Sequence, residues 1–319
     1  MAAILRILPR RLAILALTLW LISLFVFAMT QILPGDAAFM VLGQWATDEA
    51  LEQLRLELGL NRSLVVQYVD WLVNFIQGDF GKSLTLRVPV KPIVLARLGH
   101  SLVLGVIAFV EITILGIFFG VISAIKKDSW FDHLVGTFAF IGVSIPEFVS
   151  GSLLILFFSG SVWSILPAGG YVPLSEGFWP WFSRLILPST ALMLVLFAYV
   201  MRMMRSSLIE VLRTNYVRTA RLKGLKEKTV VFRHALRNAM MPTVTLLLNN
   251  FGWLIGGIVI VEIVFSFPGL GRLTIFSIQK RDIPMIQACI LLVSSLYIFA
   301  NLLADMLYML LDPKTRPDI

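Results

Sequence analysis

Carboxylates within apolar stretches are the residues of this chain best placed to do chemistry. Glu111, Glu147 and Glu262 lie within stretches that are long and apolar enough to cross a membrane. A charge at mid-bilayer costs about 2.5–3.5 kcal/mol even on the lenient insertion scale, so each side chain should face a bundle interior or water. Two roles are open: lining a polar path, for which Glu111 is the most central, or a protonated or hydrogen-bonded contact between helices. For Glu262, near the end of its stretch, the structural contact is favoured.

Two short motifs imitate nucleotide-binding loops but lack their spacing. Gly81-Lys82-Ser83 resembles the end of a phosphate-binding loop, yet the first glycine of that motif would fall on Ile76. Gly269 and Gly271 begin a dinucleotide fingerprint, but Thr274 stands where its third glycine belongs, and no alternating strand–helix pattern surrounds it. The chain therefore has no visible nucleotide site.

The residue pattern also gives no support for catalysis or metal binding. The three histidines, His100, His133 and His234, lie in separate segments without metal-ligand spacing. The single cysteine, Cys289, excludes intrachain disulfides and cysteine-based metal clusters. No nucleophile–base arrangement is visible. We expect no catalytic residue, no metal site and no cofactor bound by this chain.

The composition is that of a polytopic membrane protein. Of the 319 residues, 58% are apolar and 14% are charged, and the mean hydropathy is +0.87. Soluble domains are about 45–50% apolar and about 25% charged. The net charge of +8 would suggest nucleic acid in a soluble protein. In a membrane protein, excess Lys and Arg instead marks the cytoplasmic side, so we expect lipid and no nucleic acid as a partner.

Six predicted membrane spans define the fold class as an all-α membrane protein. The uncharged run 12–35 exceeds the core of a signal peptide and lacks a cleavage site, so we expect the first span to be retained. Segments on one side hold 17 of the 27 Lys and Arg residues, which predicts that both termini are cytoplasmic. The spans cover approximately residues 12–33, 100–125, 134–158, 185–204, 242–265 and 284–311.

The first outer loop is predicted to carry short surface helices. Thr47 can cap a helix whose first turn holds Asp48 and Glu49 and which stops near Gly59. A second amphipathic stretch covers about residues 64–75. The predicted domains are an N-terminal span with its extracytoplasmic loop (1–98), a five-span core with a cytoplasmic loop at 205–241 (99–311), and a cytoplasmic tail (312–319).

The stretch 215–242 is a basic, helix-forming segment between two spans. A helix capped by Thr214 or Asn215 should end near Gly224, a residue that suits positive φ, and a second helix should lead to Pro242 at the start of the fifth span. Three interpretations are open: a basic loop that only fixes topology, a helix-turn-helix that reads DNA, and a docking element for a cytosolic motor. The short tether between two spans argues against the DNA reader.

The segment resembles the cytoplasmic EAA loop of permease subunits in binding-protein-dependent ABC importers, in the dipeptide, oligopeptide and nickel branch. The general pattern begins Glu-Ala-Ala, whereas Arg218, Thr219 and Ala220 stand here, a departure that fits the peptide branch. The resemblance covers nearly the whole chain. The matching motifs are Leu33–Asp36, Leu58–Leu60, Gly78–Ser83, Asn215–Arg221, Lys223-Gly224, Phe232–Asn238, Val261–Phe265, Phe267–Arg272, Arg281-Asp282, Asn301–Asp305 and Asp312–Lys314.

The resemblance implies a type I importer permease in a bacterial or archaeal inner membrane. It implies half of a pathway that peptides or similar small solutes cross by alternating access, and Glu111, Glu147 and Glu262 are our candidates along it. The implied partners are a second homologous permease, two cytosolic ATPases that bind ATP and Mg²⁺, and an extracytoplasmic solute-binding protein. The residues implied in coupling to the ATPases are Asn215, Tyr216, Arg218, Thr219, Ala220, Arg221 and Gly224.

The alternative from another class is a secondary transporter or channel driven by an ion gradient. Such a protein would carry flux as a single chain. The sequence shows no inverted repeat with matched broken spans, which is the usual pointer to a midplane ion site in secondary transporters.

Overall fold

The computed structural model describes residues 2–32, 38, 42, 46–57, 59–160 and 162–311. The predicted motifs at 33–36 and 312–314, position 58 and the predicted tail 312–319 lie outside the described residues. The helices are α1 (Ala2–Ile32), α2 (Asp48–Glu57), α3 (Leu64–Ile76), α4 (Val90–Ile125), α5 (Trp130–Ser144), α6 (Glu147–Phe158), α7 (Phe178–Leu212), α8 (Asn215–Leu222), α9 (Glu227–Thr229), α10 (Leu236–Asn249), α11 (Phe251–Val264), α12 (Leu270–Lys280) and α13 (Ile283–Leu311). A 3₁₀ turn, Leu174–Glu176, precedes α7, and a π-helical turn, Val230–Ala235, joins α9 to α10.

The helices account for the predicted spans. Within the described residues, α1, α4, α7 and α13 are each long and apolar enough to cross a membrane. The pair α5 and α6 is bent by 115°, and the helical stretch 227–249 meets α11 at 50°. Six spans result when each bent pair counts as one. The fourth predicted span, short in sequence because of Arg184 and Arg202, lies within the unbroken helix α7.

The two bends have different local causes. The first bend falls at Pro146, where Ile145 adopts extended geometry with ψ 126°, as a residue before proline prefers. The second bend, at Asn250, was not predicted. There the Asn250 side-chain amide and its backbone N–H both donate to Leu246 O, at 2.8 and 3.1 Å, at the end of α10. Pro242 does not begin the fifth span, because it lies inside α10.

The first compact unit is built mainly from residues 102–267, and its core lies between α4, α7 and α11. Small residues let membrane helices approach closely. A Cβ added at Gly116 would lie 2.6 Å from Val200 Cγ1, and one at Gly120 would lie 2.7 Å from Met201 O. These two glycines therefore bring α4 against α7. Fully buried core residues include Leu104, Ala108, Ile112, Leu185, Leu192, Val200 and Val261.

The second compact unit comprises residues 6–101 and 268–299. The two predicted surface helices are both present there, as α2 and α3. Thr47 Oγ1 accepts from Ala50 N at 3.3 Å at the start of α2. The rings of Tyr68 and Trp71 on α3 pack 5.4 and 5.6 Å from Phe27 of α1. The helix α3 is thus fastened to the first span by aromatic contacts, as suits a helix at a membrane surface.

Buried Asp282 fastens the loop between α3 and α4. The Ser83 hydroxyl donates to its Oδ2 atom. The backbone N–H groups of Leu84 and Thr85 donate to the same carboxylate, each at 3.2 Å. Ser83 belongs to the motif that resembles the end of a phosphate-binding loop in the sequence. In the structure its hydroxyl is a hydrogen-bond donor to a carboxylate of the same chain.

We predict that Asp282→Ala releases this loop. The substitution leaves the buried Ser83 hydroxyl without its acceptor, at about 1–3 kcal/mol, and also frees two partly buried N–H groups. In detergent-purified protein, trypsin cleavage after exposed Arg87 should become several-fold faster, as measured by mass spectrometry of the fragments. Glu49→Ala, at an exposed site on α2, is the matched control. Equal cleavage rates in parent and Asp282→Ala would contradict the anchoring role.

Candidate functional site

The helix α8 follows α7 after only two residues. Thr214 stands at its N-cap, as predicted, but the Thr214 side chain donates to Val211 O at 2.6 Å and makes no capping bond to α8. The helix ends at Leu222, and Gly224 adopts φ +75°. The predicted helix and glycine turn are confirmed, and a non-glycine residue would be strained at this φ.

One face of α8 is packed tightly into the first unit. Val217 is fully buried and Ala220 is 7% exposed. Both belong to an apolar cluster formed by the C-terminal ends of α4 and α7 and by the segment after α8. We name this cluster the α8 cradle; its other buried members are Val121, Ala124, Met204, Leu208, Val230, Ala235 and Ala239.

Polar contacts close the turn after α8. Arg221 binds Glu227 through two hydrogen bonds, Nε to Oε2 at 3.1 Å and Nη2 to Oε1 at 2.6 Å. Hydrogen bonding to this guanidinium lowers the pKa of Glu227 below its usual value. Asn238 Nδ2 donates to Tyr216 Oη at 2.8 Å. An exposed ion pair stabilises little by itself, but together these contacts hold α8 against the helix that follows.

Exposed apolar side chains lie at the start and end of α8 and in the turn after it. Leu222 is 79% exposed, and Tyr216 and Leu225 are 43% and 39% exposed. We call these three residues the α8 tip. Of the residues predicted to couple to ATPases, Asn215, Tyr216, Arg218, Thr219, Arg221 and Gly224 are exposed, whereas Ala220 faces the cradle.

The three predicted carboxylates lie in the first unit, in different surroundings. Glu111 Oε1 accepts from Ser189 Oγ of α7 at 2.8 Å. Glu111 Oε2 and Glu147 Oε1 are buried and have no hydrogen-bond partner among the described residues. Glu262 is fully buried and engaged in an interaction of its own. Glu147 contacts α11, because a Cβ added at Gly257 would lie 2.7 Å from its Oε1 atom.

A bidentate ion pair between α5 and α7 was missed in the sequence. Asp132 accepts from Arg205 Nε at 2.7 Å and from Arg205 Nη2 at 2.6 Å. Ser129 Oγ also accepts from Asp132 N at 3.3 Å at the start of α5. Ser129 three residues before Asp132 is a capping spacing that could have located this helix start. Nothing in the sequence could have paired Asp132 with an arginine 73 residues away.

Comparisons with known proteins give a consistent result. Residues 116–317 match the family described as binding-protein-dependent transport system inner membrane component, and residues 4–110 match the N-terminal family of the same component. A probable peptide ABC transporter permease of Sinorhizobium fredii is 39% identical over 308 residues, or 96% of this chain and 98% of that protein. The glutathione transport system permease of Escherichia coli is 40% identical over 307 residues, or 96% of this chain and 97% of that protein. A crystal structure of an amino acid ABC transporter with histidines aligns over 70% of this chain and 94% of its own, at 19% identity and a TM-score of 0.47.

We predict that the two faces of α8 respond differently to the same substitution. Val217→Ser removes a buried side chain worth about 1.5–3 kcal/mol from the cradle, so α8 should open more often. Leu222→Ser alters only an exposed side chain. Amide hydrogen exchange over residues 215–222 should accelerate at least about tenfold in Val217→Ser and stay near the parent rate in Leu222→Ser. Equal exchange in both variants would contradict the packing described for α8.

Proposed function

The chain belongs to the family of binding-protein-dependent transport system inner membrane components, and from this premise we propose how it is assembled and coupled. It is a multi-pass inner-membrane permease subunit of an ATP-driven ABC importer, a class whose ATPase and solute-binding protein are separate chains. We propose that a second homologous permease completes the pathway. Two cytosolic ATPases then bind ATP and Mg²⁺, and one extracytoplasmic solute-binding protein delivers the cargo.

We propose that both termini and α8 face the cytoplasm. The segment 202–241 carries 10 Lys and Arg residues, more than any other segment between the predicted spans. Such loops are retained on the cytoplasmic side. This orientation brings the α8 tip to the side where ATPases would bind.

The proposed cargo is a peptide or a similarly small solute. The relatives named above are a probable peptide permease and a glutathione permease, and each aligns over nearly the full length of both chains. Glutathione is itself a small peptide. Choice among such solutes would rest largely with the solute-binding protein.

The observation that carries the coupling proposal is the two-sided burial of α8. Its tip leaves Leu222 79% exposed for a partner, while Val217 is fully buried in the cradle. Movement of an ATPase against the tip would therefore reach α4 and α7 through packed side chains. Driving a two-state equilibrium from about 1:99 to 99:1 takes roughly 5.5 kcal/mol, which requires a rigid element of this kind.

We place the substrate pathway along the carboxylates within the first unit. Glu111 and Glu147 each keep a buried oxygen without a partner among the described residues. Glu262 is buried and engaged, and we assign it to the wall of the pathway. Unpaired carboxylates inside a membrane bundle are costly, and a path for polar cargo is the usual reason for such residues.

We predict that Arg218→Glu and Gly224→Pro uncouple ATP hydrolysis from uptake. Arg218→Glu reverses an exposed charge on α8, and proline fixes φ near −65° where Gly224 has φ +75°. In proteoliposomes holding the complete importer, hydrolysis should persist while uptake of labelled peptide falls at least about tenfold. Arg62→Glu, in the first outer loop, is the charge-reversal control. Normal uptake by both α8 variants would remove the coupling assignment.

We predict that affinity purification of this chain from its native membrane recovers a second permease and ATPases. Leu222→Asp should lose the ATPases and keep the second permease, because a charge would replace the most exposed apolar side chain of the tip. Mass spectrometry of the purified complexes is the readout. Recovery of the chain alone, with ATP-independent flux in liposomes, would instead establish a secondary transporter.

A further inference from the structure

Glu147 is the most deeply buried unpaired carboxylate that the structure describes. The buried side-chain atoms without a hydrogen-bond partner in the described residues are Glu111 Oε2, Ser123 Oγ and Glu147 Oε1. Glu147 is only 9% exposed, whereas Glu111 already accepts a bond from Ser189. Burying a charged or polar group without a partner is costly, so Glu147 calls for an explanation.

Glu147 lies at the start of a helix, beside a break in the chain. It is the first residue of α6, directly after the break at Pro146, where the third span bends by 115°. The N-terminus of a helix stabilises a carboxylate through its partial positive charge. Broken spans supply substrate sites in other transporters, because the ends of half-helices point at cargo. The break therefore places a largely buried carboxylate at the bend between α5 and α6.

On the α11 side, the described contact of the Glu147 carboxylate is a glycine. The carboxylate lies against Gly257 of α11, where an added Cβ would be 2.7 Å from Oε1 and 3.0 Å from Oε2. Backbone groups in the middle of a helix are already bonded within the helix. Glycine at this position leaves room for the carboxylate and contributes nothing that could pair with it.

The charged groups on the helices that pack against α6 are committed elsewhere. On α7, Arg184 donates to Gly169 O, Arg202 lies 4.6 Å over the Phe140 ring, and Arg205 is paired with Asp132. On α11, Glu262 carries the same sign of charge as Glu147. None of these three arginines forms a hydrogen bond or ion pair with Glu147 among the described residues.

We propose that Glu147 binds the protonated amino group of the solute during its passage through the permease. The proposal rests on the proposed function and adds the chemical class that the pathway recognises. A primary ammonium supplies one positive charge and three N–H donors, and such charge-assisted bonds to a carboxylate are strong. Terminal amines of peptides titrate near about 8 and are mostly protonated at pH 7. Peptides and glutathione both carry such a group.

A purely structural role for Glu147 makes a different prediction. A protonated carboxyl packed between α6 and α11 would affect assembly or stability. It would not distinguish a solute with a free amine from the same solute with an acetylated amine. The discrimination between the two solutes is therefore the decisive measurement.

The test is equilibrium dialysis of labelled trialanine and N-acetyl-trialanine against the purified permease–ATPase complex without its solute-binding protein. The complex with parent sequence should bind trialanine at least about tenfold more tightly, the scale of one charge-assisted bond. Glu147→Gln should bring the two affinities to near equality, and Glu147→Asp should keep part of the difference. Glu49→Gln, an exposed carboxylate on α2, should behave like the parent. Gly257→Ala should act like Glu147→Gln, because its methyl group takes the place of the carboxylate.

Each outcome decides the proposal. Parent complex that binds neither probe, or both equally, overturns it, as does discrimination that persists in Glu147→Gln. If Glu147→Gln does not assemble, Gly257→Ala replaces it: near-equal affinities for the two probes support the proposal, and an affinity ratio like that of the parent overturns it. Glu147→Asp should still keep part of the ratio. ATP-dependent uptake with the solute-binding protein is measured in parallel. Normal uptake without amine discrimination overturns this inference alone, whereas absent uptake of any peptide counts against the proposed function.

Discussion

Hydrogen bonding of the backbone inside lipid is the constraint on which the rest of this structure depends. An unsatisfied N–H or C=O in hydrocarbon costs several kcal/mol, so spans must be helices, and a break survives only where protein or water covers it. The break at Pro146 obeys this rule. Val149 N and Ser150 N both donate to Pro146 O, at 2.9 and 3.1 Å, and Ser150 and Gly151 are buried. The first N–H groups of the new helix are therefore bonded locally, and part of its first turn is buried.

A break in a span can place a polar side chain at a helix end inside the bundle, which an unbroken apolar helix does not do. The turn at Pro146 places Glu147 at a helix start within the bundle, and Gly257 gives the carboxylate space. At the other end of the first unit, α8 is free of the lipid constraint, because it lies between two spans. There the cradle buries Val217 and leaves Leu222 exposed, as expected of the two faces of a short amphipathic helix.

Local chemistry explains what the sequence could predict and what it could not. The glycine turn at Gly224 and the break at Pro146 follow from single residues with strong backbone preferences. The bend at Asn250 has no such residue: the Asn250 side chain adds a bond to Leu246 O beside the backbone bond already made there, and the residue type alone does not predict this. Pro242 favours a helix start, but packing of α10 on α7 keeps the helix continuous through it. Unpaired Glu147 was expected near a pathway, whereas its contact with Gly257 could come only from the folded chain.

The unbroken helix α7 connects the two ends of the proposed mechanism. Met204 and Leu208 of α7 form part of the cradle beneath α8, and Ser189 of the same helix binds Glu111. Its 35 residues span about 52 Å at the usual rise per residue. A cargo can shift an equilibrium between two states only by its difference in affinity for them. Glu111 bonds to α7 itself, and Glu147 lies against α11, which packs on α7. A shift of α7 would change the surroundings of both carboxylates, and cargo bound to them would then differ in affinity between the two states. On this proposal, ATPase movement at α8 and binding of an amine at Glu147 act on the same rigid element.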